Sequence, residues 1–565
     1  MSPDTRKARL ERRVADLYAN DQQFADARPI AAISSAIEAP DLRLSQIVQT
    51  VMEGYADRPA LGQRAVQFVK EPQTGRTTVD LLPRFETITY RELWKRVEAV
   101  ASALANDSVR PGDRVCILGF TSVDYAVIDM ALIPIGGVSV PLQTSAPVAQ
   151  LRPILAETEP SVIAASVDYL DDAVELVLTG HAPARLIVFD YRPEVDDHRE
   201  AFEVASMRLG EADSPVSVKT LADVLDRGSV MPPAPELVGD ADDPLALLIY
   251  TSGSTGRPKG AMYPEHLVAN MWRKSTRAMW GQAGDTPSIT LNFMPMSHVM
   301  GRHTLDATLG AGGTAYFAPK SDLSTFLEDL ALVRPTQLSF VPRIWEMLFQ
   351  EFQSAVDRRS SDGTDRAAFE AQVMAEQPET LLGGRFLSAM TGSAPISAEL
   401  KAFVEAYLDL HLVDGYGSTE ASIVFLDGQV QRPPVIDYKL VDVPDLGYFH
   451  TDRPHPRGEL LVKTDNLFPG YYKRPEVTAE VFDVDGYYRT GDIMAEVAPD
   501  QLVYLDRRNF VLKLAQGEFV TVSKLEAVFG TSPLVRQIYV YGNSARAYLL
   551  AVVVPTEEAL SRHDA

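Results

Sequence analysis

The chain has 565 residues, 46% of them apolar and 23% charged, a composition typical of globular proteins and a length too great for one hydrophobic core. Asp and Glu (77) outnumber Lys and Arg (53), and the formal net charge of −24 repels phosphate backbones and anionic lipid, so neither nucleic acid nor a membrane surface is expected as a partner. Cys116 is the single cysteine, which excludes an internal disulfide and a thiolate metal cluster.

The charged N-terminus leads into helix-like sequence with no apolar signal core, and no stretch of about eighteen apolar residues follows, so the expected location is the cytoplasm. Residues 8–53 read as a helical extension, and the main body starts at Tyr55. Thr89 and Glu92 have the spacing of a capping box for a helix reaching about Ala105, with Leu93, Val97, Val100 and Leu104 on one face. Strand 114–119 follows, with Cys116 read as a small buried hydrophobe. Then come a helix over about 122–133, strand Val138–Pro141, strand 161–166, helix 168–178 and strand 185–190. Strands alternating with helices at this spacing predict an α/β sheet with crossovers. Asp190–Asp243, rich in charge and proline, is expected to wrap the surface, and the charged run 354–380 to be a peripheral insertion. From about 430 the pattern changes to short strands and turns, a small β-rich unit; after Leu505 strand and helix patterns recur.

Four segments carry chemistry. The apolar run Leu245–Ile249 empties into Tyr250-Thr-Ser-Gly-Ser-Thr-Gly-Arg-Pro-Lys-Gly260. Glycines let backbone N–H groups approach an anion, and the hydroxyls and Lys259 add donors and charge, a composition suited to nucleotide phosphates. The Walker spacing is absent, and Gly260–Pro264 continues as strand and turn, so a P-loop NTPase is set aside. His298 lies among apolar residues, where a core histidine is the simpler reading. Asp414-Gly-Tyr-Gly-Ser-Thr-Glu420 offers two glycines, an aromatic face, a hydroxyl and a hard-oxygen ligand suited to Mg²⁺ beside phosphates. In Tyr488-Arg-Thr-Gly-Asp492, Asp492 is placed to accept hydrogen bonds from ribose hydroxyls. Phe293, Met296, Phe340 and Trp345 are candidate walls of an apolar pocket, or ordinary core.

In this order the segments resemble the adenylate-forming superfamily of acyl-CoA synthetases, peptide-synthetase adenylation domains and luciferases, from about residue 55 onward. The run Arg432–Gly447, together with Tyr416–Ala421, closely resembles the adenylation domain of carboxylic acid reductases, and the segment from Asp506 resembles the acyl-CoA-synthetase form of the hinge. The resemblance implies an α/β fold: a helical extension (1–54), an adenylation core of mixed and parallel sheets flanked by helices (55–430), a β-rich part of that core (431–505), and a hinge with a partial α+β C-terminal subdomain (506–565). It implies ATP-dependent conversion of a carboxylic acid to an acyl-adenylate, with ATP or AMP and Mg²⁺ bound. The alternatives are a stand-alone acyl-CoA ligase and a catalytically silent nucleotide-binding fragment.

By the same resemblance, Thr251, Ser252, Gly253, Ser254, Thr255 and Lys259 would handle phosphates. Ser393, Asp414, Gly415 and Tyr416 would frame the adenine, Thr419 would touch the α-phosphate, and Glu420 would hold Mg²⁺. Asp492 would bind ribose with help from Tyr504 and Arg507, Lys513 would approach the nucleotide, and His298 would line the junction of acyl pocket and phosphate. Two departures stand out. Asn509-Phe510 replaces the family's Lys-Asp hinge pair, and the chain ends at Ala565 without the family's Pro/Gly-rich segment bearing a catalytic lysine. The expectation is therefore a truncated adenylation module. Phosphopantetheine, on a carrier domain whose thiol would take the acyl group, and NADPH are expected only in a full-length enzyme.

Overall fold

The computed structural model describes residues 3–107, 109–235, 243–251, 257–275, 285–360, 366–508, 511–513, 519–530, 532, 534–542, 548–556 and 559–560. Its first large sheet has seven strands in the order Ser217–Thr220, Arg185–Phe189, Val162–Ser166, Arg114–Leu118, Val138–Leu142, Leu245–Thr251, Lys259–Pro264. Neighbours run parallel except for the last pair, an antiparallel hairpin. Val138–Leu142, Val162–Ser166 and Arg185–Phe189 are buried at every residue, as a parallel sheet covered on both faces requires. Alternate residues of one strand enter different cores: Val115 and Ile117 face one, Cys116 and Leu118 the other. Burial pushes the Cys116 thiol up to about 12, so it is an inert apolar filler.

The second sheet has nine strands in the order Gln337–Phe340, Ser388–Gly392, Leu412–Ser418, Ser422–Leu426, Gln429–Val430, Gln501–Arg507, Tyr488–Ala498, Arg457–Thr464, Val435–Val441. Its first three strands are parallel and the rest antiparallel. The short strands after residue 430 thus continue the sheet that carries Asp414–Glu420. A four-stranded sheet joins Ile289–Asn292, Thr314–Phe317, Pro59–Lys70 and Thr77–Thr89. Beyond residue 508 the described residues form two small antiparallel pairs, Val511–Lys513 with Phe519–Thr521 and Val535–Tyr541 with Leu550–Pro555. The architecture is mixed α/β, and among the described residues no helix is long and apolar enough to cross a membrane.

The expected capping box forms. The Thr89 hydroxyl accepts from the Glu92 backbone N–H (3.2 Å), and the Glu92 carboxylate accepts from that of Thr89 (2.7 Å), opening helix Tyr90–Ala105. Leu93, Val97, Val100 and Leu104 are its buried face. Strand 185–190 stops one residue early because Asp190 turns to φ 53°. The N-terminal helices pack onto the body: Leu44, Ile47, Val48, Val51 and Met52 join the core of Leu93 and Val97, and Arg9 grips Asp409 with two hydrogen bonds.

Two expectations need correction. Residues 354–380 are helical and mostly surface-facing but not wholly peripheral: helices Pro342–Ser360 and Arg366–Leu381 bury Ala355, Val356 and Val373 in the core of Trp345. Single apolar residues at helical spacing were hidden within a charged run. Asp190–Asp243 does more than wrap the surface, because Ser217–Thr220 adds an edge strand and helix Leu221–Ser229 buries Leu221 and Val224.

A buried ion pair ties helix Val299–Gly310 to helix Val123–Ala131 and, through Ser139, to the first sheet. Arg302 donates to both Asp129 oxygens (2.8 and 2.6 Å) and to Ser139 Oγ (3.0 Å), and Ser139 donates to Asp129 (2.5 Å). Both side chains are almost fully removed from water. Neutralising one partner strands the other charge. We expect Asp129→Asn to lower folding stability by about 3–5 kcal/mol in chemical denaturation; an unchanged midpoint would show that Arg302 finds another counter-charge.

Candidate active site

Thr251 and Lys259 sit opposite each other in the hairpin of the first sheet, so the hydroxyl- and glycine-rich turn springs from the end of Leu245–Thr251. Ser252, Gly253, Ser254 and Thr255 lie outside the described residues. The Lys259 ammonium lies 4.8 Å from the centre of the Tyr471 ring. The Tyr471 hydroxyl donates to Glu420 Oε1 at 2.7 Å, and that of Tyr263 donates to the carbonyl of Thr419. Lys259, Thr419 and Glu420 are therefore brought together around two tyrosines. Burial and the nearby Glu420 push both phenols up, so they stay neutral donors.

Four residues before Glu420, Tyr416 stacks on Phe425 with centroids 4.6 Å apart and planes 14° apart. Its hydroxyl donates to Asp492 Oδ2 at 2.5 Å. Asp492 pairs with Arg507 across adjacent strands, with Arg507 Nε 3.9 Å from Oδ1, and the Tyr504 ring lies 6.3 Å from that of Tyr416. Burial raises the Asp492 carboxyl above the ordinary range, while the Tyr416 hydroxyl and Arg507 pull it back. Its backbone N–H is fixed by Thr490 Oγ1 (3.1 Å), which donates onward to the Leu460 carbonyl (2.9 Å). A buried carboxylate among aromatic rings, with one oxygen engaged by a phenol, can accept hydrogen bonds from a diol under a flat ring system. A Cβ at Gly415 would meet Met390 Cε at 2.4 Å, the tip of a flexible side chain.

Asp414 and Gly415 pair with Thr391 and Gly392, so Ser393, exposed and at φ 68°, extends from the neighbouring strand end. Burial raises the Asp414 carboxyl, opposed by Lys401. His298 caps helix Val299–Gly310, its Nδ1 accepting from the Met300 backbone N–H (3.3 Å), and burial lowers its pKa so that the ring is neutral at pH 7. Lys513 pairs with Phe519 in a separate two-stranded sheet. Phe293, Phe340 and Trp345 do meet, with Phe340 centred 5.7 Å from Phe293 and 5.0 Å from Trp345, but Met296 belongs to another core. These rings fill one another's space.

Among the described residues no group of three or more His, Cys, Asp or Glu side chains could hold a metal. Glu420, with Oε1 engaged by Tyr471, suits only a hard cation whose remaining ligands are phosphate oxygens and water. Tyr263, Phe425 and Tyr471 were not singled out from the sequence. Tyr471 had one signal, its Pro469-Gly470 turn, the sort of break where a backbone approaches another closely.

A family model described as AMP-binding enzyme matches residues 54–472. A carboxylic acid reductase of Mycobacterium tuberculosis is 68% identical over 557 residues, which is 98% of this chain and 47% of that protein. The chain thus spans about half the length of the curated carboxylic acid reductases it matches. The crystal structure of the adenylation domain of a carboxylate reductase from Mycobacterium chelonae superposes with a TM-score of 0.95 at 54% identity, covering 99% of this chain and 86% of that one. The adenylation domain of the Segniliparus rugosus carboxylic acid reductase, in complex with AMP and a co-purified carboxylic acid, gives 0.93 at 54% identity, covering 98% and 88%. With the fold, the Tyr416–Asp492 pair and the Lys259–Tyr471–Glu420 group in place, the chain belongs to the AMP-binding enzymes and, among them, to the adenylation domains of carboxylic acid reductases.

Proposed function

We propose that this chain activates a carboxylic acid, binding it with ATP, joining them as an acyl-adenylate and releasing pyrophosphate. The observation that carries the reading is that one segment, Leu412–Glu420, joins two side-chain groups suited to the two ends of a nucleotide. Tyr416 meets the buried Asp492, and Glu420 meets Tyr471 under the Lys259 ammonium. The AMP and carboxylic acid held by the Segniliparus rugosus domain support it.

In this reading Asp492 accepts the ribose hydroxyls, assisted by Tyr504 and Arg507, while Ser393, Asp414, Gly415 and Tyr416 frame the adenine. Thr251, Ser252, Gly253, Ser254, Thr255 and Lys259 receive the phosphates, and Thr419 the α-phosphate. The acid's oxygen attacks the α-phosphorus, forming the new O–P bond as the bond to pyrophosphate breaks. The protein's work is then to hold the two reactants in line and offset phosphate charge. His298, neutral through burial, would line the junction between acid and phosphate without adding charge. Lys513 would reach the nucleotide from the C-terminal part. A magnesium ion held by Glu420 would supply positive charge to the phosphate oxygens. In the whole protein the acyl group would pass to a carrier-domain phosphopantetheine thiol and be reduced with NADPH, in the part of its relatives' length that this chain does not span.

Three outcomes check this. Calorimetry with a non-hydrolysable acyl-sulfamoyl-adenosine should show saturable binding, weakened in Asp492→Ala by about 1.5–3 kcal/mol; equal affinity in the variant would remove Asp492 from the ribose site. Glu420→Gln should raise the Mg²⁺ concentration needed for ATP binding and spare AMP; equal losses for both nucleotides would count against a metal role. Acidification should weaken AMP binding once Asp492 protonates, above the ordinary aspartate range because its carboxyl is raised. Tyr416→Phe removes a hydrogen bond that holds this carboxyl down, so the weakening should begin at higher pH; an unmoved profile would exclude Asp492 as the titrating group.

A further inference from the structure

Glu157, on helix Val148–Thr158, belongs to none of the motifs above, yet it joins both halves of the site. Its Oε2 accepts from the Tyr250 hydroxyl at 2.7 Å, and its Oε1 lies 2.6 Å from Arg474 Nε. The carboxylate side chain is 8% exposed, so both contacts are made largely out of water. The backbone carbonyl of the same residue accepts from Lys473 Nζ at 2.8 Å.

These partners are not arbitrary. Tyr250 is the residue before Thr251, where the hydroxyl-rich turn leaves the first sheet. Its ring lies under the returning strand so closely that a Cβ on Gly260 would be 2.9 Å from it. Arg474 follows Tyr471, which holds Glu420 and carries Lys259 on its ring, and the Arg474 N–H is bonded to the Tyr471 carbonyl at 3.1 Å. One carboxylate therefore touches the end of strand Leu245–Thr251 with one oxygen and the segment behind Glu420 with the other. Burial and the adjacent Glu157 push the Tyr250 phenol up, which keeps it a neutral donor.

We propose that Glu157 is a positioning residue that sets the distance between the Thr251–Lys259 end of the hairpin and Glu420, and so selects for the triphosphate end of ATP. The proposal rests on the nucleotide-site reading given above. Glu157 touches no reacting atom; it acts through Tyr250 and Arg474. Loosening this brace lets Thr251 and Lys259 shift relative to Glu420 while leaving the Tyr416–Asp492 end, on other strands, undisturbed. Affinity for ATP must then fall much more than affinity for AMP. A role in stability alone predicts no such difference between the two nucleotides.

The test is calorimetric titration of this chain with ATP plus Mg²⁺ and, separately, with AMP, using Glu157→Gln and Tyr250→Phe. Each variant should weaken ATP by roughly ten- to hundredfold, the scale of a small misplacement of a binding group, and leave AMP within about twofold. The double variant should lose little more than either single one, since both break the same brace. Tyr250→Phe removes one oxygen atom and keeps the ring, so it preserves the test should Glu157→Gln fold poorly. Equal weakening of ATP and AMP, or full additivity, would overturn the positioning role. Binding of neither nucleotide by the unaltered chain would instead overturn the nucleotide-site reading, and this proposal with it.

Discussion

The site depends on a short backbone bridge between two parts of the molecule that fold around different sheets. The Met262 N–H donates to the Gly470 carbonyl (3.1 Å), the Tyr472 N–H donates to the Gly260 carbonyl (2.8 Å), and Ala261 pairs with Tyr471. This splices the segment after Phe468 onto the hairpin that carries Lys259. The Phe468 N–H in turn donates to the Glu420 carbonyl at 2.9 Å, so the same segment reaches the second sheet within a few residues. Backbone groups buried at such a joint must pair, and they pair here in only one register. That register puts the Tyr471 hydroxyl on Glu420 and its ring beneath Lys259. Gly260 makes it possible, because any side chain there would displace the Tyr250 ring.

The carboxylates of the site are solvated mainly by phenols. Tyr416 donates to Asp492 and Tyr471 to Glu420, and Tyr488 lies close enough to Glu420 for that carboxylate to help push its phenol up. A cation beside each carboxylate would satisfy it more strongly but would also consume it. A phenol supplies one hydrogen bond, brings no charge, and stays protonated at any physiological pH once buried. Arg507 is the exception, and at 3.9 Å from Asp492 it is too far for a hydrogen bond. The acceptors therefore keep capacity for donors that arrive with a ligand.

Much of this was legible in the chain. The capping box at Thr89 and Glu92, the alternating strands and helices up to Phe189, and the strands on either side of the Tyr250–Gly260 segment follow from local pattern, and each is found. The motif residues Lys259, Thr419 and Glu420 also converge, as do Tyr416 and Asp492. What could not be read is how distant segments share groups. Glu157 is one acidic residue in an amphipathic helix, and its local sequence gives no hint of partners at 250 and 474. Tyr471 looks like part of a loop, and its role exists only once the bridge to Ala261 forms. The burial of Val373 was missed for a related reason, since one apolar residue per helical turn in a charged stretch decides nothing until a partner surface is known.

A chain with a net charge of −24 gains nothing from its overall field when its ligand is a polyphosphate. Attraction has to be local, and the position of Lys259 shows how it is kept available. Glu420 is its natural partner nearby, and a Lys–Glu pair would be unremarkable on a surface. Such a pair would also have to be broken before either group met a ligand, at a desolvation cost that rises with burial. Tyr471 separates them: its ring face takes the ammonium, worth about 0.5–2 kcal/mol, and its hydroxyl takes the carboxylate. Both ends of one side chain are used, and the two charges remain unspent on each other. An anion entering the turn can then draw Lys259 off the ring at small cost, while a cation can meet Glu420 without displacing an ammonium.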